Sequence, residues 1–432
     1  MTSTPFYGWK LLAVFWVTVF VVLGFPAYGM GIMNTFMAEQ MGFDRTVLGL
    51  LFTVFMVMSG LPAPLFAVLV NRRGVRFTIV TASLLMLVGS LAMATLVQNV
   101  WGAVIAASGV VGLAVAAGAG VPTQTGVMRW FVRRRALAMS IVVSAGGFGG
   151  FIAPPLINRM IESAAGDWRA GWWVFVGAAA ILTVIAALFV REHPADLGQF
   201  PDGIAPDATG AGPARKQRRV FLTSEEWTSQ EALRSPTFWV LLLCMCGMSL
   251  GYTWLLSHSF VHLQDLGHSR AAAAKAAGWF AIFTLAGKFT VGGSGDRIEP
   301  RYLFSIALGL FAVGLVVVMN ATTVASLYGY AFLLGVGWGG ALTCLMTLLG
   351  NYFGTKAYPG AVGVTIAVQA TVSAIAPLVA GYLFERYGTY APTVYTIAVL
   401  CFIGSLVLLR AKPPLRPAPV RVMPEVNTLH GH

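Results

Sequence analysis

Gly292-Gly-Ser-Gly-Asp296-Arg297-Ile-Glu-Pro-Arg301 links two apolar runs, Ala272–Ser294 and Tyr302–Asn320. Ala67-Val-Leu-Val-Asn71-Arg72-Arg73-Gly74-Val-Arg76 lies 225 residues earlier and links two others, Val47–Val70 and Phe77–Val97. A run of about 20 mainly apolar residues is long enough to cross a bilayer as a helix. Further out, Trp130-Phe131 leading to Pro154 is echoed by Tyr352-Phe353 leading to Pro377, at offsets of 222 and 223. A nearly constant offset over unrelated motifs implies two halves in the same orientation. That is the parallel repeat of a two-bundle secondary transporter, with its site between the halves near mid-membrane.

The remaining runs complete the count. Leu11–Phe36, Trp101–Val127, Ala136–Met160 and Gly171–Val190 bring the first half to six. Thr237–Val261, Thr323–Gly350, Pro359–Phe384 and Pro392–Leu409 bring the second half to six. The predicted fold is an all-α membrane protein of twelve transmembrane helices in two six-helix bundles. Expected units are residues 1–190, a linker 191–235, residues 236–410 and a tail 411–432. The first run lacks a small-residue cleavage site and reads as a retained spanning helix.

Composition agrees. Of 432 residues, 57% are hydrophobic and only 10% charged, with a formal net charge of +12. A soluble domain is about a quarter charged, so a soluble enzyme, a disordered chain and a disulfide-stapled domain are excluded. The excess base does not point to nucleic acid, because Lys and Arg sit in the gaps between apolar runs. With the N-terminus inside, most of them fall on one side, at Arg72–Arg76, Arg129–Arg135, Arg215–Arg219, Arg297–Arg301 and Arg410–Arg421. The positive-inside rule then places both termini in the cytoplasm of a cell whose inner (plasma) membrane holds the chain. In the linker, Thr223-Ser-Glu-Glu226 reads as a capping box opening a short amphipathic helix. The four cysteines lie in apolar runs and read as small buried residues. His430 and His432 form no convincing metal site, and no motif calls for a cofactor. The chain is expected to act as a monomer in the lipid bilayer.

At this point the sequence resembles the major facilitator superfamily. Asp296-Arg297 with Arg301 looks like the family's loop signature, and the first-half copy carries Asn71 where the pattern has Asp. Within the superfamily, the chain is similar to the monocarboxylate transporter and oxalate/formate exchanger branch. The similarity rests on Tyr7-Gly8-Trp9, on Trp130-Phe131-Val-Arg133-Arg134-Arg135-Ala-Leu137-Ala138, and on the linker motifs Glu192-His-Pro194 and Ser235-Pro236-Thr-Phe238-Trp239. The resemblance implies alternating access, with Asn71, Arg72, Asp296 and Arg297 as gate residues.

Lys288 is the only Lys or Arg in the interior of a predicted spanning run, away from its ends. A charge at that depth is costly unless it meets water or a partner. It stands where carboxylate-transporting relatives carry an Arg that binds substrate, which makes it a candidate anion anchor. The competing reading is a lysine snorkelling to the interface. The resemblance also implies an Asp one turn earlier for proton coupling, but that position is Thr284. No Asp or Glu occupies the centre of a run, so the proton carrier is Lys288, His258 or, in an exchanger, neither. Oxalate exchangers carry a second basic residue in the eleventh helix; here Gln369, Thr371 and Ser373 occupy that run. One fixed charge fits a monoanion, so lactate- or pyruvate-class monocarboxylates are the expected substrates. Tyr28, Asn34, Gln124, His258, Trp338 and Gln369 complete the candidate binding residues. The alternatives are an exporter of drugs or amphipathic metabolites, and a membrane sensor that does not transport.

Overall fold

The computed structural model describes residues 5–43, 45–205 and 220–415. The basic cluster Arg215–Arg219, His430 and His432 lie outside the described residues. Among those described there is no strand, and nine continuous helical segments are long and apolar enough to cross a membrane. In a bilayer every backbone N–H and C=O must be satisfied within the span, which leaves helices as the solution for such runs.

Two of the nine segments hold two spans each, and the helix Arg270–Ser294, outside the nine, is the twelfth. Val47–Thr95 breaks at Gly74 (φ 88°), and Val324–Tyr387 breaks at Gly354 (φ 71°). The first bundle is then α1 (Gly8–Met41), α2 (residues 47–73, with a turn at Leu61-Pro62), α3 (residues 75–95), α4 (Val100–Trp130), α5 (Arg135–Ser163) and α6 (Arg169–Phe189). The second is α7 (Pro236–Asp265), α8 (Arg270–Ser294), α9 (Pro300–Met319), α10 (residues 324–353), α11 (residues 355–387) and α12 (Ala391–Arg410). All twelve expected runs are helical, with ends displaced by a few residues. Helix α1 contains a π-helical turn at Phe20–Gly24 and α4 another at Val104–Val110. Apolar periodicity gives no sign of either.

Gly74 shows why the loops break where they do. Its φ is left-handed, and a Cβ there would collide with the Glu192 carboxylate. That carboxylate accepts from Val75 N at 2.9 Å and Arg76 N at 2.8 Å, capping the first turn of α3. It also pairs with Arg129 Nη1 at 2.7 Å. Glu192, read from the sequence as part of a linker motif, ties α3, α4 and the linker together. The Thr223–Glu226 box does not form. Residues 220–228 are not helical, and the box is Thr228 with Glu231, opening the short helix Ser229–Arg234. Thr223 is committed elsewhere: its N–H bonds to the Asn351 carbonyl at 2.8 Å.

The bundles meet through α5 against α8 and, at the equivalent place in the repeat, α11 against α2. At the basic face Asp296, just past α8, accepts from Ala136 N at 2.8 Å and Leu137 N at 3.2 Å in the first turn of α5. Carboxylates are favoured at helix N-termini, where amides lack partners. Beside this latch, Arg135 Nη1 reaches the Gly350 carbonyl and Asn351 Oδ1, both at 3.2 Å. Arg72 and Arg297 are exposed and form no ion pair among the described residues. The described inter-bundle hydrogen bonds lie between this face and Lys288, so the basic face is closed.

Burial pushes the Asp296 carboxyl up to about 6, opposed by the two amides; Asp202 raises it further and Arg134 lowers it. Opening the face would hydrate the carboxyl and return it toward its ordinary range. The closed form therefore holds the proton more tightly, and acidification through about pH 6 favours closure. Spin-label distances across the basic face should shorten on average between pH 7.5 and pH 5.5, and Asp296→Asn should abolish the dependence; an unchanged dependence in that variant refutes it. A second outcome concerns packing. A Cβ on Gly149 would strike the Gly24 backbone, whereas one on Gly177 meets open space. Gly149→Val should lower the Tm by on the order of 5 °C and Gly177→Val should not. Equal shifts would show that α1–α5 contact is not limiting.

Candidate functional site

Helix α8 is drawn close to α10 by glycines: a Cβ on Gly339 would strike the Thr284 carbonyl and lie 3.1 Å from Lys288 N. This approach directs the opposite side of α8 toward the other bundle. Lys288 is buried at 6% exposure, and its Nζ donates to the Val143 carbonyl of α5 at 2.9 Å. The side chain points inward across the bundle interface and does not snorkel. No carboxylate pairs with it among the described residues. An ammonium has three donors, and one backbone carbonyl is the partner found here. The charge is thus compensated by a dipole, not by an opposite charge.

Around this bond the structure places polar and aromatic groups that periodicity did not single out. Ser144 follows Val143, and its hydroxyl accepts from Trp16 Nε1 of α1 at 3.3 Å. Trp16 stacks on Phe20 at 5.2 Å, where the π turn of α1 begins. On the second bundle, Trp338 of α10 stacks on Tyr252 of α7 at 4.0 Å and 6°. Trp16 and Tyr252 carried one usable signal, a polar-tipped aromatic inside an apolar run. The Val143 carbonyl had none, since a backbone acceptor is invisible in sequence.

The other expected residues are distributed more widely. Tyr28 lies over Gly150 of α5 and is 43% exposed. Asn34 is half-buried and makes no hydrogen bond with another described residue. Gln124 is buried and its Oε1 accepts from Tyr358 OH at 3.4 Å, an inter-bundle contact nearer the basic face. Gln369 Oε1 accepts from Ser249 Oγ at 3.5 Å. His258 sits toward the opposite end of α7, with Nε2 3.2 Å from the Pro377 carbonyl and Nδ1 3.2 Å from Tyr390 OH. Lys288, Trp338 and Tyr28 thus belong to elements that meet around the bundle interface, whereas His258 and Gln369 are engaged within the second bundle.

Comparison with known proteins places this arrangement. A family profile described as Major Facilitator Superfamily matches residues 14–292 and 261–427. Monocarboxylate transporter 12-B of Danio rerio is 25% identical over 302 residues, covering 65% of this chain and 61% of that protein. The oxalate:formate antiporter of Oxalobacter formigenes is 23% identical over 327 residues, covering 73% and 72%. The match to the first of these therefore spans about six-tenths of the relative's length. In fold, the chain is similar to the proton:xylose symporter bound to 6-bromo-6-deoxy-D-glucose, with a TM-score of 0.68 at 13% identity over 94% of this chain and 95% of that one. With twelve helices in two bundles and a matching profile along nearly its whole length, the chain belongs to the Major Facilitator Superfamily of membrane transporters.

Proposed function

We propose that the protein carries small organic anions, foremost monocarboxylates of the lactate and pyruvate class, with Lys288 holding the carboxylate. The observation that carries this reading is a buried ammonium, bonded to the Val143 carbonyl and without an acidic partner among the described residues. Placing a charge at that depth costs about 2.5–3.5 kcal/mol on insertion scales. A carboxylate offers the ammonium a stronger, charge-assisted bond than a carbonyl does. Its arrival would release Lys288 from α5 and so loosen one of the ties between the bundles. That couples binding to alternating access, since a ligand shifts a conformational equilibrium by its differential affinity for the two states.

A single fixed charge suits a monoanion, and the names of the monocarboxylate and oxalate:formate relatives support an anionic substrate. Thr284 near Lys288 supplies no carboxylate for a proton pair, so coupling runs by anion exchange or by a proton on Lys288 or His258. The basic residues of the latch face support a cytoplasmic orientation for it, with both ends inside a cell whose plasma membrane holds the chain. Tyr252 stacked on Trp338 favours a second reading. An aromatic wall suits an amphipathic substrate, and export of such a compound would depend little on Lys288.

Lys288→Ala should weaken saturable lactate or pyruvate binding by on the order of tenfold or more, read as loss of ligand-induced thermal stabilisation. Unchanged affinity for these ligands would favour the amphipathic reading. In proteoliposomes, an inward proton gradient should drive accumulation if the cycle is a symport; accumulation only with trans-loaded anion identifies exchange.

A further inference from the structure

Helix α8 turns two different faces to its surroundings. Lys288 points across the bundle interface, and Trp279 lies nine residues before it. Nine residues are about 2.5 helical turns, so Trp279 points away from that interface, toward the surrounding lipid. It is exposed there, as are Tyr328 and Phe332 of α10 beside it. Trp279 meets Tyr328 edge-on at 6.0 Å and stacks on Phe283 at 5.6 Å, and Phe283 meets Phe332 at 5.2 Å. Lys275, one turn above Trp279, is also exposed and stands toward the end of α8 remote from Asp296. At that end a groove of about 230 Å³ runs between the two helices, lined by Ser269, Lys275 and Ala276 of α8 and by Val324, Leu327 and Tyr328 of α10.

Polarity along this seam is graded. Lys275 is at the top, the polar-tipped rings of Trp279 and Tyr328 come next, and Phe283 and Phe332 lie deepest. From Lys275 to Phe283 the helix rises by about 12 Å. A cation, then amphipathic rings, then hydrocarbon rings follow a lipid from its headgroup through the interface to its acyl chains, Trp and Tyr being favoured at the interfacial level. The donors at the polar end lack acceptors. Among the described residues, Lys275 Nζ, Tyr328 OH and Trp279 Nε1 donate to no other residue. No Asp or Glu lines the groove. One water takes up about 30 Å³ of liquid, so the groove admits a small polar head and not a folded segment of protein.

We propose that this groove seats the headgroup of an anionic phospholipid, with the phosphate on Lys275 and the acyl chains along Trp279, Phe283 and Phe332. A hydrogen bond from an ammonium to a phosphate oxygen is charge-assisted. A zwitterionic headgroup would bring an ammonium of its own, for which the groove has no carboxylate. That favours phosphatidylglycerol over phosphatidylcholine. The apolar wall below the cation favours a lipid over a soluble phosphate. Bound there, the lipid spans α8 and α10, the two helices whose close approach positions Lys288. The site is independent of what Lys288 binds.

The test uses the full chain in liposomes of phosphatidylcholine, to which either phosphatidylglycerol or phosphatidylcholine brominated in its acyl chains is added. Bromine quenches tryptophan fluorescence on contact. At equal mole fraction the brominated phosphatidylglycerol should quench more strongly, and Trp279→Phe should remove the excess. Lys275→Gln should lower the preference for phosphatidylglycerol by about fivefold, and Lys275→Arg should keep it. Equal quenching by the two lipids, an excess that persists in Trp279→Phe, or an unchanged preference in Lys275→Gln would overturn the proposal. Inorganic phosphate should not displace the excess quenching; displacement would assign the groove to a soluble phosphate and overturn the lipid assignment.

Discussion

The structure turns on a positive charge buried where two bundles meet. Lys288 lies in α8, and its ammonium is held by a carbonyl of α5. An unpaired charge in a low-dielectric interior is tolerated only when dipoles or an opposite charge compensate it. Here the compensation comes from the other bundle, so the bond that relieves the charge also joins the halves. Any anion that competes for the ammonium competes with closure. Chemistry and conformation are thereby linked through one side chain.

The Asp296 latch works by a related logic nearer the surface. A carboxylate caps the first turn of α5, and burial makes its ionisation costly. Its counterpart 225 residues earlier is the uncharged Asn71. The repeat is therefore symmetric in its helices and asymmetric at this latch. One side of the basic face is closed by Asp296; on the other Arg129, Arg135 and Lys356 line a cavity, with Arg129 paired to Glu192 and Asp202 accepting from Val132 N and Arg133 N at its edge. Glu192 binds the linker into this arrangement through the start of α3 and through Arg129.

Much of this was legible in the chain. Twelve apolar runs of spanning length and a repeat near 225 residues forced two bundles, because helix length in a bilayer is set by its thickness. Lys288 stood out because charge is so rare in such runs. Other features were not legible. The capping box moved from Thr223 to Thr228, since Thr223 is engaged by Asn351. The π turns in α1 and α4 left no trace in the apolar pattern. The partners of Gln124 and His258, both candidate ligands for substrate, were not legible either: Tyr358 bonds the first, and the Pro377 carbonyl and Tyr390 the second.

The sequence by itself determined the class of fold, the number of spans and the isolation of Lys288. Those depend on residue type along the chain, which hydrophobic length and charge report directly. Tertiary structure decided what each polar group faces. The partner of Lys288 is a backbone carbonyl, and every residue has one, so no pattern of side chains could identify Val143. The cavity at the basic face likewise gathers residues 71, 129, 135, 193 and 356 from five segments. Their common environment exists only once the two bundles close and bring those segments to one face.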